Sequence, residues 1–292
     1  MFKRHDLAII NRSFWPTGLT IGESLLQLGE KTINNNKSVV IISQSSKNLD
    51  RISEESGRGK GANFKACISR SNSSTNMYYR IFDLLIFTFW VIWSLILTRP
   101  KNIYVSTDPP LLIPFVVFLY SKIFRSSYVY HLQDIHPEAG KKIIKLNSII
   151  LAFFKKIDGV VIRNASSIIT INETMRNEIL DRSKTKSHIY LVDNPTANIV
   201  DNIKNKIPGF VFLGNAGRLQ RIPLLLKSIK DYKEKGGTLP FLFIGEGIYF
   251  NEIRKLSREY KNIKYTGLID MNIANDLTTQ YEWALLPIED EV

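Results

Sequence analysis

The chain has 292 residues, 44% of them hydrophobic and 23% charged, a globular balance that excludes wholesale disorder and allows one large core or two modest ones. Lysine and arginine outnumber aspartate and glutamate by 39 to 27, a formal net charge of +12, which favours an anionic partner: nucleic acid, a phosphorylated metabolite or an anionic lipid surface. The single cysteine, Cys67, excludes an internal disulfide framework and suits a reducing, cytoplasmic compartment.

The apolar run after Asp6, residues 7–10, is too short for the core of an export signal, so none is expected. Residues 7–11, 38–43, 102–106, 127–131 and 166–171 are short, rich in Ile and Val and bounded by polar residues, which predicts buried strands. Helix-like stretches such as 20–34 and 77–97 lie between them. This alternation predicts a parallel sheet covered by helices on both faces. Residues 44–76, rich in Ser, Asn, Lys and Gly and without periodicity, read as a functional or mobile loop, or equally as a disordered insertion.

The rhythm pauses over 194–206, a polar, proline-containing stretch suited to an interdomain linker. It restarts with strand-like runs at 209–214, 241–245 and 262–267, each ending in glycine and each followed by a helix-like stretch. The expected fold is α/β, with two Rossmann-like, doubly wound parallel-sheet domains spanning residues 1–200 and 201–292. A domain of this type needs further strands after 283–287, so the second is expected to be incomplete.

Three stretches bear on membranes. Residues 84–97 are a 14-residue run containing Phe87, Phe89, Trp90 and Trp93, flanked by Asp83 and Arg99. That falls short of the roughly 20 apolar residues of a spanning helix, leaving a buried crossover helix or one lying partly in the interface. Residues 111–124 are apolar and aromatic, and residues 141–156 interleave five lysines with Ile and Phe. Basic amphipathic stretches of this kind predict peripheral binding to an anionic membrane surface.

The local chemistry centres on turns at strand ends. In Phe212-Leu213-Gly214-Asn215-Ala216-Gly217 a strand runs into a glycine-containing turn with a helix just beyond. Gly214 and Gly217 would let backbone approach a ligand, and the helix N-terminus offers unpaired N–H groups to an anion. Arg218 and Arg221 add charges suited to a diphosphate. The alternative is a plain strand–turn–helix with solvated arginines. A second glycine turn, Gly245-Glu246-Gly247, follows the next strand, and neighbouring strand ends form the ligand crevice of an open α/β sheet. No G-x-G-x-x-G opens a helix, so NAD is not expected.

In the first half, Trp15-Pro16-Thr17-Gly18 follows the first strand, and His131 and Asp134 follow a later one, where they could face a crevice together. His131 could equally be a hydrogen-bonded histidine at a strand end. His131 and His136 are five residues apart, a spacing that suits one face of neither helix nor strand, so no metal site is expected. No zinc-finger spacing or RNP-like aromatic motif occurs, which sets nucleic acid aside.

Four segments in order resemble glycosyltransferase family 4, retaining enzymes of the GT-B fold, especially bacterial members that build O-antigen and related surface polysaccharides. Thr107-Asp108-Pro109-Pro110 resembles the family's T/S-x-P-P turn, and Asp134-Ile135-His136-Pro137-Glu138 its DxxPE segment. Gly214-Asn215-Ala216-Gly217 resembles its GNxG turn and Gly245-Glu246-Gly247 its GxG turn. The resemblance implies a nucleotide-sugar donor between two domains, with the nucleotide mainly on the second and a lipid-linked or other membrane-bound acceptor on the first. It implies Gly18 near the donor phosphates, His131 facing the transferred sugar and Arg218 on the diphosphate, with Arg221 in place of the family's usual lysine. It implies neither metal nor other cofactor, and a cytoplasmic protein peripheral on the inner face of the membrane. The family's two glutamates, seven residues apart, have no counterpart, since Glu289 and Glu291 lie too close together. The resemblance therefore implies a weakened donor site and little turnover. Another GT-B activity, such as nucleotide-sugar epimerisation, and a non-catalytic membrane-docked remnant are the alternatives.

Overall fold

The computed structural model describes residues 4–16, 19–69, 77–135, 148–194, 206–217, 220–269 and 271–288. They form two compact units, one with seven strands and one with four. Gly18, Arg218, His136, Glu289, Glu291, most of the expected linker and residues 141–147 lie outside the described residues.

The strands of the first unit are β1 (Leu7–Ser13), β2 (Val39–Gln44), β3 (Asn63–Cys67), β4 (Asn102–Ser106), β5 (Ser127–Leu132), β6 (Ser167–Thr170) and β7 (His188–Leu191). They form one parallel sheet in the order β3-β2-β1-β4-β5-β6-β7. All six residues of β2 are buried, as expected of a strand covered on both faces. Successive side chains serve opposite faces. Ala8 and Ile10 enter one core with Phe87, Val91 and Leu95, and Ile9 enters another with Leu25 and Leu26. The first core is roofed by α3 (Met77–Thr98), α4 (Leu112–Phe124), α5 (Ser148–Asn164) and α6 (Glu173–Ser183), the second by α1 (Leu19–Asn34) and α2 (Leu49–Ser56). Between α5 and α6 a nearly buried ion pair joins Arg182 Nη1 to Asp158 Oδ2 at 3.1 Å.

Two expectations are corrected here. Much of the stretch 44–76 is regular: it contains α2 and β3. Hydropathy misses it because polar links hold it. Asn48 caps α2 by accepting from the Arg51 N–H, and Gly57 closes the helix with a φ of 72°. Arg58 then reaches back to α1, with Nη2 2.7 Å from Glu23 and Nε 2.8 Å from Glu30. The helix-like stretch 77–97 is borne out, but its apolar part is longer than the run 84–97. α3 has 22 residues, and its segment Tyr78–Thr98 is long and apolar enough to cross a membrane by length and composition. Asp83, which interrupts the run in sequence, is fully buried on the inward side.

The second unit carries β8 (Ile207–Leu213), β9 (Phe241–Ile244), β10 (Ile263–Gly267) and β11 (Tyr281–Ala284), all parallel, in the order β10-β9-β8-β11. Its helices are α7 (Ile222–Glu234), α8 (Phe250–Glu259) and α9 (Met271–Thr279). Phe212 and Phe243 fill one face with Ile229 and Ile253; Val211, Leu242 and Ile244 fill the other with Ala274. This sheet is the smaller of the two. Both sheets have the doubly wound pattern in which the first strand of the unit lies between its second and fourth. Each therefore has a switch point, beside β1 and beside β8, where such sheets bind ligands at their carboxyl ends.

Candidate functional site

At the switch point of the first sheet, β1 and β4 are laced together by side chains. Ser106 Oγ donates to Asn11 Oδ1, and the Asn11 amide donates to the Ser13 carbonyl. The Ser13 N–H donates to Asp108 Oδ2 at 2.9 Å and the Arg12 N–H to the Asp108 carbonyl at 2.9 Å. Asp108 of the Thr107-Asp108-Pro109-Pro110 turn thus anchors the chain leaving β1. Beyond it, Gly22 seats α1 on that same chain. A Cβ there would lie 2.6 Å from the Trp15 nitrogen and 2.8 Å from the Phe14 carbonyl carbon, so only glycine permits the approach.

His131 stands beside this lacing, because parallel register pairs it with Ser106. Tyr104, two residues earlier on β4, shares that face, and its hydroxyl hydrogen-bonds His131 Nδ1. Burial pushes the Tyr104 phenol well up, so it stays protonated and donates. It also pushes the His131 imidazole down to about 4. The ring is therefore neutral at pH 7, and an accepting Nδ1 leaves the proton on Nε2. His131 is 9% exposed, and its Nε2 has no hydrogen-bond partner among the described residues. A buried donor left open at a strand's carboxyl end is suited to a ligand oxygen. Asp134, in contrast, is exposed. Among the described residues it makes no hydrogen bond or ion pair with His131, so the structure does not join the two in one constellation.

In the second unit the two glycine turns interlock. The Gly214 N–H donates to the Ile244 carbonyl at 3.0 Å and the Ala216 N–H to the Glu246 carbonyl at 2.7 Å. Gly245 has a φ of 124° and Gly247 a φ of 151°; Cβ atoms there would lie 2.1 Å from the Gly214 oxygen and 2.4 Å from the Ala216 oxygen. Both glycines are thus required by the neighbouring backbone, which is a different reason from the ligand approach that the sequence suggested. The small hollow that Gly214 and Gly245 line with Phe212, Phe243, Phe250 and Tyr265 has no room for a water molecule, so it is core. The outer side of the Gly214-to-Gly217 turn leads to the N-terminus of α7. There Arg221 is the N-cap without a side-chain cap bond, and Pro223 lies in the first turn. The exposed Asn215 sits on this turn. Gly217 donates to the Asn215 carbonyl at 2.7 Å.

Sequence reasoning found His131 and the glycine turns but missed Tyr104, Asn11, Ser106 and Gly22. Two-residue alternation places Tyr104 and Ser106 on one face, but their nearness to His131 depends on a strand register that sequence does not state. Among the described residues, no group of three or more His, Cys, Asp or Glu side chains is placed to hold a metal ion.

No family model matches the chain, and no curated protein matches it by sequence. Solved structures do match. HepE of Anabaena, in complex with UDP, superposes with a TM-score of 0.57 at 11% identity, covering 96% of this chain and 73% of its own. The lipopolysaccharide outer core galactosyltransferase WaaB gives 0.53 at 14% identity, with the same coverage of 96% and 73%. Sucrose-phosphate synthase of Thermosynechococcus elongatus gives 0.63 at 13%, covering 94% and 74%. A Listeria monocytogenes chain assigned as a UDP-N-acetylglucosamine 2-epimerase also matches, at 0.55 and 12%, over 97% of this chain and 74% of that one. Likeness at this identity shows the fold: two Rossmann-like halves of GT-B type.

Proposed function

We propose that the chain is a retaining GT-B glycosyltransferase of the family 4 kind, moving sugar from a nucleotide-sugar donor to a lipid-linked acceptor in bacterial surface-polysaccharide synthesis. The observation that carries this is the interlocked pair of glycine turns at the carboxyl ends of β8 and β9, with α7 beginning beyond. The two turns fix one another, so the Gly214-to-Gly217 turn is held in place before any ligand arrives. A diphosphate against the first turn of α7 would meet the positive end of the helix dipole. Arg221, with Arg218 from the sequence, would add charge-assisted hydrogen bonds. Such donors stabilise charge as it develops on a departing diphosphate, and no metal is part of the scheme. His131, neutral and carrying its proton on Nε2, would donate to an oxygen of the transferred sugar. Asn215 would lie at the rim of the donor site. HepE, of the same fold, holds UDP, and WaaB is a galactosyltransferase; both support the assignment by analogy of fold.

Calorimetry with UDP, GDP, dTDP and NAD tests the nucleotide site. At least one nucleoside diphosphate should bind saturably and NAD should not. Binding of none of them would remove the site. Epimerisation is the second reading, since an epimerase-assigned chain shares the fold. Conversion of a free UDP-sugar to its epimer, without any acceptor, would favour it.

A further inference from the structure

The outward side of the helical roof on the first unit is apolar over a broad area. More than half of the exposed large hydrophobic side chains among the described residues sit on three helices: ten on α3 and three each on α4 and α5. α3 packs beside α4, and α4 beside α5, so these side chains form one continuous face. Phe82, Leu85, Phe89 and Trp93 run along α3 at three- and four-residue spacing, continued by Ile123 of α4 and Phe153 of α5. Phe89 is 69% exposed and Ile123 72%. A soluble monomer does not ordinarily leave so large a patch in water.

The charges around this patch have one sign. Arg80, Lys122, Lys156 and Arg163 of these helices are exposed, whereas their only acidic residues, Asp83 and Asp158, are buried. We propose that the joined outer faces of α3, α4 and α5 are a docking surface for an anionic lipid bilayer, with α3 lying in the plane of the interface. Two observations select this occupant. Asp83, Phe87, Val91, Leu95 and Thr98 are buried along the other side of α3, so from Asp83 to Thr98 the helix is packed on the unit's core and does not cross. A second copy of the chain would bring the same basic residues together across a two-fold axis without an exposed carboxylate to pair them.

The placement matters for access. Each of α3, α4 and α5 follows the carboxyl end of a strand, so Phe82 and Phe153, near their helix starts, lie toward the edge that carries His131. A lipid held in the outer leaflet of this contact would present its headgroup to that edge. The docking surface is independent of whether sugar is transferred, and its test involves no sugar.

The 292-residue chain should float with phosphatidylglycerol vesicles and only weakly with phosphatidylcholine vesicles, and added salt should release it. Arg80→Gln, Lys122→Gln and Lys156→Gln should each lower partitioning about fivefold. Phe82→Glu combined with Phe89→Glu should abolish flotation. Brominated lipid should quench tryptophan emission in the unmodified chain, and Trp93→Phe should lose most of that quenching. This last reading needs no charged substitution, so a misfolded double variant leaves the test intact. Absence of flotation with either vesicle would overturn the proposal, as would flotation with Trp93 unquenched. So would a dimer that persists when vesicles are present and is broken by Phe89→Glu.

Discussion

Tyr104→Phe removes the hydroxyl that donates to His131 Nδ1 while keeping a ring against the imidazole, edge-on at a centroid distance of 5.8 Å. Tyr104 is 7% exposed and His131 9%, so water has little access to replace the lost donor. Leaving a buried acceptor unsatisfied costs about 1–3 kcal/mol. Burial holds the His131 pKa down to about 4, and Tyr104→Phe leaves that burial in place. In the parent, the unfolded chain takes up this proton near 6.5 and the native chain only near 4. Between those values the unfolded state holds more protons. The contribution is therefore complete above 6.5 and is lost as pH falls towards 4, by about 3 kcal/mol in all. The variant should start lower at pH 7 and, its His131 still buried, fall in parallel with the parent below 6.5. Urea unfolding across this pH range reads both effects. Histidine-selective nitrogen NMR reads the tautomer, with His131→Gln identifying the signal. A parent ring protonated on Nδ1, or one titrating near 6.5, would refute the geometry, as would a variant of unchanged stability.

Gly245→Ala should destabilise the second unit by about 3 kcal/mol, from a disfavoured backbone angle and a Cβ driven onto the Gly214 oxygen, as read by urea unfolding. Arg182→Met takes the cation from the buried Asp158 carboxylate in the first unit and should cost about 3–5 kcal/mol in the same assay. Arg218→Ala should weaken nucleoside diphosphate binding by roughly 10- to 150-fold in calorimetry, the loss of one charge-assisted contact. An unchanged affinity would take Arg218 out of the site.

The sequence showed β1, β2, β4, β5, β6, β8, β9 and β10 because each is a short apolar run, and in a buried parallel sheet such runs stand out from their polar borders, whereas the largely exposed edge strand β7 was not among them. β2, buried at all six positions, is the clearest case. It concealed β3 and α2, where Asn48, Arg58 and Glu30 do with polar bonds what apolar periodicity does elsewhere. It showed α3 as the stretch 77–97 but cut its apolar run at Asp83, because a linear reading cannot tell an inward-facing carboxylate from the end of an apolar run. The glycine turns were visible, but the reason for Gly245 and Gly247 was not. That reason is the backbone of the neighbouring turn, brought near by strand pairing. Tyr104 escaped notice for the same cause: its partner is 27 residues away in sequence.

The most direct test of the central claim is sugar transfer. The protein, incubated with membranes and each radiolabelled UDP-, GDP- or dTDP-sugar that it binds, should move label into extractable lipid and release the nucleoside diphosphate. His131→Ala should suppress both. Label that stays in the nucleotide sugar, or returns as its free epimer with no lipid product, would contradict the account.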